Sequence, residues 1–170
     1  NLYNESIKLF KEAGGLELEL AKVYNNLAYI YSQRGAIDEA IEYYQNSLNI
    51  VEQKRDIYST AFIYFNVGGI YFNIGDLDKA VECLEKSLAM QQKIGNIAGI
   101  ATSYNTLGAI YGQKGDINLA IDYYLKSLKL NEKIGNSLAI AMAHGNLAEI
   151  STKIGDLEKA IFYQKESLKI

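Results

Sequence analysis

One six-residue phrase returns four times in this chain: Gly35-Ala-Ile-Asp-Glu-Ala40, Gly75-Asp-Leu-Asp-Lys-Ala80, Gly115-Asp-Ile-Asn-Leu-Ala120 and Gly155-Asp-Leu-Glu-Lys-Ala160. The glycines stand 40 residues apart each time. Self-similarity at a fixed period of roughly 20–50 residues marks a stacked array, in which no unit can bury its apolar face alone. Such a chain is built to present a surface. The period argues for binding rather than catalysis and names no partner.

The chain has 170 residues, one Cys, one His, no Pro and a formal net charge of −3. Apolar residues make up 49%, enough for a core and too many for a disordered chain. No Lys/Arg run offers an electrostatic footprint for nucleic acid. No apolar stretch approaches the roughly 18–20 residues that span a bilayer, so no membrane segment is expected. There is no secretory leader and no initiator Met, so a piece of a longer protein is expected. A single Cys forms no internal disulfide, which fits a reducing, cytoplasmic compartment. One His and one Cys on different helices give no triad and no metal set, and no phosphate-binding Gly loop is present. The expectation is therefore no enzyme, no cofactor and no metal.

Apolar residues recur at helical spacing, as in Ala40, Ile41, Tyr44 and Leu48. The absence of Pro suits uninterrupted helices, and Gly serves as punctuation. Together these predict nine helices, at about 1–11, 16–33, 37–53, 57–73, 77–93, 97–113, 117–133, 137–153 and 157–170. Two turn types alternate. In the first, Gly35, Gly75, Gly115 and Gly155 end a helix in the left-handed conformation. Asp76, Asp116 and Asp156 are then predicted to cap the next helix, with Ala36 the weaker exception by about 1 kcal/mol. The second type is Gly95-Asn96 and Gly135-Asn136, with counterparts Arg55-Asp56 and Gly14-Gly15. The unit is thus a hairpin, an A helix before the first turn type and a B helix after it. Ala28, Gly68, Gly108 and Ala148 on the A helices, with Ala40, Ala80, Ala120 and Ala160 on the B helices, are predicted to let the two approach closely. Ser47, Ser87, Ser127 and Ser167 follow seven positions later. The large residues Tyr31, Tyr71, Tyr111, Tyr44, Leu84 and Tyr124 are predicted to fill the space between repeats.

The order Tyr104, Leu107, Gly108, Tyr111, Ala120, Tyr124, Ser127 resembles the tetratricopeptide repeat. So does Tyr24, Leu27, Ala28, Tyr31, Ala40, Tyr44, Ser47. The resemblance covers the whole chain as one array: a half repeat at 1–15, then repeats at 16–56, 57–96, 97–136 and 137–170. The usual unit has about 34 residues and often ends in Pro. Here Glu52, Gln92 and Glu132 stand in its place, as in the longer-repeat branch of the family. The fourth repeat departs further, with His144, Ser151 and Gln164 at aromatic positions, and is either cap-like or adjoins a further segment. The resemblance implies an all-α, right-handed solenoid with A helices lining a concave, non-catalytic peptide groove.

Carried onto this chain, the resemblance places groove slots on the A-helix positions that face away from helix B. Asn26, Asn66 and Asn146 are equivalent there, with Asn25 and Asn105 one position earlier. An Asn amide can both donate to and accept from a peptide backbone, and Asn is a mediocre helix former. The alternative is that these amides are solvated or bonded to neighbours. Phe62, Phe65 and Phe72, with Tyr29, form a candidate wall for an apolar anchor, unless some of them turn into the core. Gly69, Gly112 and Gly145 have no packing role in the pattern and are read as room for a ligand side chain. Only Lys22, Glu149 and Lys153 carry charge among the slots, so a clamp for an acidic tail is not expected. His144 is read as a packing substitute for tyrosine, and Cys83 as a structural or surface thiol. The runner-up function is a regulatory or dimerisation module of a larger signalling protein, such as a bacterial histidine kinase or cyclase. Leu157, Ile161 and Leu168 lack a predicted covering helix, and end-to-end self-association is expected from them.

Overall fold

A computed structural model describes Glu5 and residues 16–169. The predicted first helix, the half repeat and the Gly14-Gly15 turn lie outside the described residues. Among those described there are eight helices and no strand: α1 (Glu17–Gln33), α2 (Ile37–Gln53), α3 (Ile57–Asn73), α4 (Leu77–Lys93), α5 (Ile97–Lys114), α6 (Ile117–Ile134), α7 (Ser137–Lys153) and α8 (Leu157–Leu168). They form four A/B hairpins. The last helix closes two residues before the predicted end, and α5 and α6 each run one residue further than predicted.

The punctuation explains these limits. Gly35, Gly75, Gly95, Gly115, Gly135 and Gly155 all have positive φ, which a residue without Cβ adopts at little cost. Arg55 takes the same conformation at φ 55 because the turn demands it, at a strain of roughly 1–2 kcal/mol. The helix starts follow the prediction less evenly. Asp76 and Asp156 cap their helices, accepting from the backbone N–H of Lys79 (3.2 Å) and Lys159 (3.1 Å). Asp116 makes no such bond. Its two counterparts each have a lysine three residues on that also pairs with the carboxylate, whereas Leu119 stands there in α6. In the second turn type, Asp56, Asn96 and Asn136 cap α3, α5 and α7.

The A/B seam is built on missing side chains. Ala40, Ala80 and Ala120 are fully buried, and a Cβ on Gly108 would lie 2.7 Å from the Tyr124 ring. One on Gly68 would lie 2.9 Å from Leu84 Cγ. Each hairpin is then clasped by one hydroxyl. Ser47, Ser87 and Ser127 Oγ each donate to a backbone carbonyl 26 residues earlier, on Ala21, Ala61 and Ala101, at 2.8 Å. Ser167 does so to Ala141 at 3.0 Å.

The chain divides into two compact units between Met90 and Gln91. In the first, α2 packs on α1 and α3 around Tyr44, Leu48, Val51, Ile63, Val67 and Ile70. In the second, α6 packs on α5 and α7 around Tyr124, Leu128, Ala143, Leu147 and Ile150, with α8 against α7. Full burial of each large apolar side chain contributes roughly 1.5–3 kcal/mol.

Candidate functional site

In the first unit the A helices α1 and α3 flank a cleft of about 450 Å³ whose floor is Ser47 and Val51 of α2. Asn25, Asn26 and Phe62 line it, together with Leu18 and Tyr58. Phe62 is 46% exposed and Tyr58 61%. These are apolar rings facing solvent beside a polar amide. The side-chain carbonyl of Asn25 is buried and has no hydrogen-bond partner, and an unmet acceptor of this kind costs roughly 1–3 kcal/mol. Tyr29 is exposed, while Phe65, Asn66, Gly69 and Phe72 are half-buried, and none of these five lines the cleft. Asn66 is engaged inward. It lies toward the Tyr44 hydroxyl, whose pKa burial pushes up to about 12 while the neighbouring Asn66 amide pulls the other way. Gly69 faces open space, since a Cβ there would meet nothing within 4 Å. Tyr58 was missed by the pattern, although it extends the Phe62, Phe65 stripe by one helical turn.

In the second unit, Asn146 Nδ2 of α7 donates to Asn105 Oδ1 of α5 at 2.9 Å. These two amides sit one register position apart and are brought together across neighbouring A helices. Gly145 faces open space. Gly112 does not: a Cβ there would stand 3.3 Å from Ile150 Cδ1 and 3.7 Å from Ala120 Cβ. Its packing role was invisible because the tighter of these contacts is with the next repeat, and a bulky residue there would push helices apart rather than only fill a groove.

The B-helix side carries a ladder of rings. Tyr43 lies 6.0 Å from Tyr24 and 5.3 Å from Tyr31, and Tyr123 lies 5.8 Å from Tyr104 and 5.4 Å from Tyr111 (centroid distances). His144 takes the tyrosine role as predicted, buried at 5.9 Å from Tyr163. The residues that replace the family's Pro have acquired a use. Glu52 accepts from the Tyr64 hydroxyl at 3.2 Å, and Gln92 donates to Tyr104 Oη at 3.4 Å. Burial raises the pKa of the Cys83 thiol, the opposite of what activates a nucleophile.

The tetratricopeptide repeat family model matches residues 19–93 and 99–170, and the chain belongs to that family. No curated protein gives a significant match. Among solved structures, BtubC (BKLC) from P. vanneervenii is 22% identical, with a TM-score of 0.90 over 99% of this chain and 70% of its own. A signal transduction ATPase with numerous domains and a tetratricopeptide repeat sensor, from Pyrococcus horikoshii, is 25% identical (TM-score 0.83), matched over 98% of this chain and 26% of its own. The apo form of RapI is 20% identical (TM-score 0.88), over 97% and 46%. The fold is that of the all-α tetratricopeptide solenoids. Repeats of this family are protein-interaction scaffolds. No helix among the described residues is long and apolar enough to cross a membrane.

Proposed function

We infer that this chain is a non-catalytic module that holds an extended or short helical peptide of a partner protein on its A-helix faces. The observation that carries this reading is the α1/α3 cleft, where exposed Phe62 and Tyr58 offer an apolar anchor site beside Asn25 and Asn26. Asn25 and Asn26 would hold peptide backbone and Phe62 would bury a side chain, an aromatic anchor being a frequent source of binding energy. Tyr29, Phe65 and Phe72 would extend the wall along the same helices, and Gly69 would leave room for a bulky ligand side chain. Asn105 and Asn146 bond each other and Asn66 lies toward Tyr44, so these three would contribute only by turning from those neighbours to a ligand. The test is panning of displayed random peptides against the protein. Phe62→Ala combined with Asn26→Ala, both at exposed positions, should weaken the selected peptides at least tenfold with the thermal midpoint unchanged. Peptides indifferent to the pair, or none selected, would move the function elsewhere.

A second reading is a sensor or regulatory segment of a larger signalling protein. The Pyrococcus horikoshii ATPase favours it, because its repeats are described as a sensor and this chain spans about a quarter of it. End-to-end self-association rests on Leu157, Ile161 and Leu168, which are 63%, 56% and 79% exposed. Their counterparts Ile37, Ile41 and Leu48 are packed in the first unit's core. A mass from light scattering that stays monomeric at all concentrations would remove that idea.

A further inference from the structure

In three hairpins one register position of the B helix holds a tyrosine. Tyr43 stacks on Tyr31 with an interplanar angle of 17°, Tyr123 stacks on Tyr111 at 10°, and Tyr163 tilts against His144 at 35°. In the first and third hairpins that ring lies against two tyrosines of the A helix, seven residues apart. The second hairpin keeps both flanking rings, Tyr64 and Tyr71, but the register position between them is Cys83. A cleft of about 250 Å³ opens there, lined by Tyr64, Tyr71, Cys83, Lys86, Ile41 and Leu48 among others. It lies between α2, α3 and α4, apart from the α1/α3 cleft.

We propose that this slot receives an aromatic side chain of a partner protein, a tyrosine or phenylalanine ring set between Tyr64 and Tyr71 over Cys83. The chain itself shows what fits, since its first and third hairpins place a tyrosine against the same pair of flanking positions. Aromatic pairs favour offset-stacked and tilted arrangements with centroids roughly 4.5–7 Å apart, the range the other ladders occupy. The lysines at the rim do not block entry. Lys86 lies 5.4 Å above the Tyr64 ring, and its counterpart Lys126 lies over both Tyr104 (5.8 Å) and Tyr123 (5.2 Å), so a lysine and the central ring coexist in the third hairpin. Lys79 lies 5.2 Å from the Tyr71 ring on the other side. Both ammonium groups are already paired, Lys79 with Asp76 and Lys86 with Glu82. What the slot lacks relative to its neighbours is therefore a ring and not a charge. The paired tyrosines and the cleft between them define the slot, and the thiol serves as its reporter.

Cys83 is the single cysteine of the chain, so its alkylation by iodoacetamide reads occupancy of the slot directly. N-acetyl-tyrosine amide should slow that alkylation severalfold and saturably, and N-acetyl-leucine amide at the same concentration should not. In Cys83→Tyr the chain's own ring should fill the slot, raise the thermal midpoint, and erase the shifts that N-acetyl-tyrosine amide causes in the Tyr64 and Tyr71 resonances. Cys83→Ala should retain those shifts. Equal alkylation rates with the two amides would overturn the proposal. So would a Cys83→Tyr chain that melts lower or fails to fold, because the slot would then not accept a ring.

Discussion

The second and third hairpins share a register and differ in what fills it. The third is closed: a Tyr124 ring lies against Gly108, and the Tyr104, Tyr123 and Tyr111 rings form a ladder. A buried Asn131 also bonds the clasp serine, donating to Ser127 O at 2.9 Å and to Ser127 Oγ at 3.2 Å. The second is looser at the same places. Leu84 replaces the ring beside Gly68, Cys83 replaces the middle rung, and Gln91 stands where Asn131 would be, its side-chain carbonyl buried without a partner. One backbone pattern thus tolerates two fillings. The glycine and serine positions decide whether a hairpin forms, and the rungs decide how much of it is left open to a partner.

The largest effect should come from Gly108→Leu. The added side chain would run into a rigid ring, at a cost on the order of 3 kcal/mol, and urea unfolding would show the midpoint falling steeply. Gly68→Leu should cost less, because Leu84 is the more adaptable neighbour; an equal loss would mean that the two seams do not differ. Next come the clasps. Removing a buried hydrogen bond costs about 1 kcal/mol, so Ser87→Ala should lose that much. Ser127→Ala should lose more, since it also strips a partner from Asn131, and denaturation of the two variants side by side measures the difference. A smaller change of opposite sign is expected for Gly69→Ala and Gly145→Ala, where an added Cβ meets nothing. Each should gain about 0.5–1 kcal/mol of helix stability, seen as a raised thermal midpoint.

The smallest effect is electrostatic. Hydrogen bonds from Lys79 hold the exposed Asp76 carboxyl below its usual 3.8, and Lys159 does the same for Asp156. A group with a lowered folded pKa stabilises the fold above its unfolded pKa, and that contribution is lost as pH falls through the folded value. Asp76→Asn, which retains a capping oxygen, should therefore flatten part of the fall in thermal midpoint below about pH 4 and leave the neutral value nearly unchanged. An unaltered acid profile would show that the Lys79 pair contributes nothing.

Helix limits were legible in the sequence because Gly and Asx residues set them locally, and the first turns of α3, α5 and α7 follow from single residues. The small-residue seam was legible for the same reason. The clasp was only half visible: the pattern marks Ser47, Ser87 and Ser127 as small, but not that each hydroxyl reaches a carbonyl on the neighbouring helix. The Asn105 and Asn146 pair was hidden because the two occupy different register positions, and only the packing of α7 beside α5 aligns them. Gly112 looked idle because its neighbour Ile150 belongs to the next repeat. Position in a repeat gives the face of a side chain, while its partner across repeats depends on how the hairpins are stacked.

The serine clasp has a mechanical consequence. It ties the two helices of each hairpin at a point far along the chain from their turn, so sliding one helix past the other breaks a buried bond. A hairpin should therefore respond to load as a stiff link. Drawn out by its termini in an optical trap, the chain should lengthen in discrete steps, each releasing one link of about 40 residues. Serine-to-alanine links should yield first, which would let the order of rupture be written into the sequence one hydroxyl at a time.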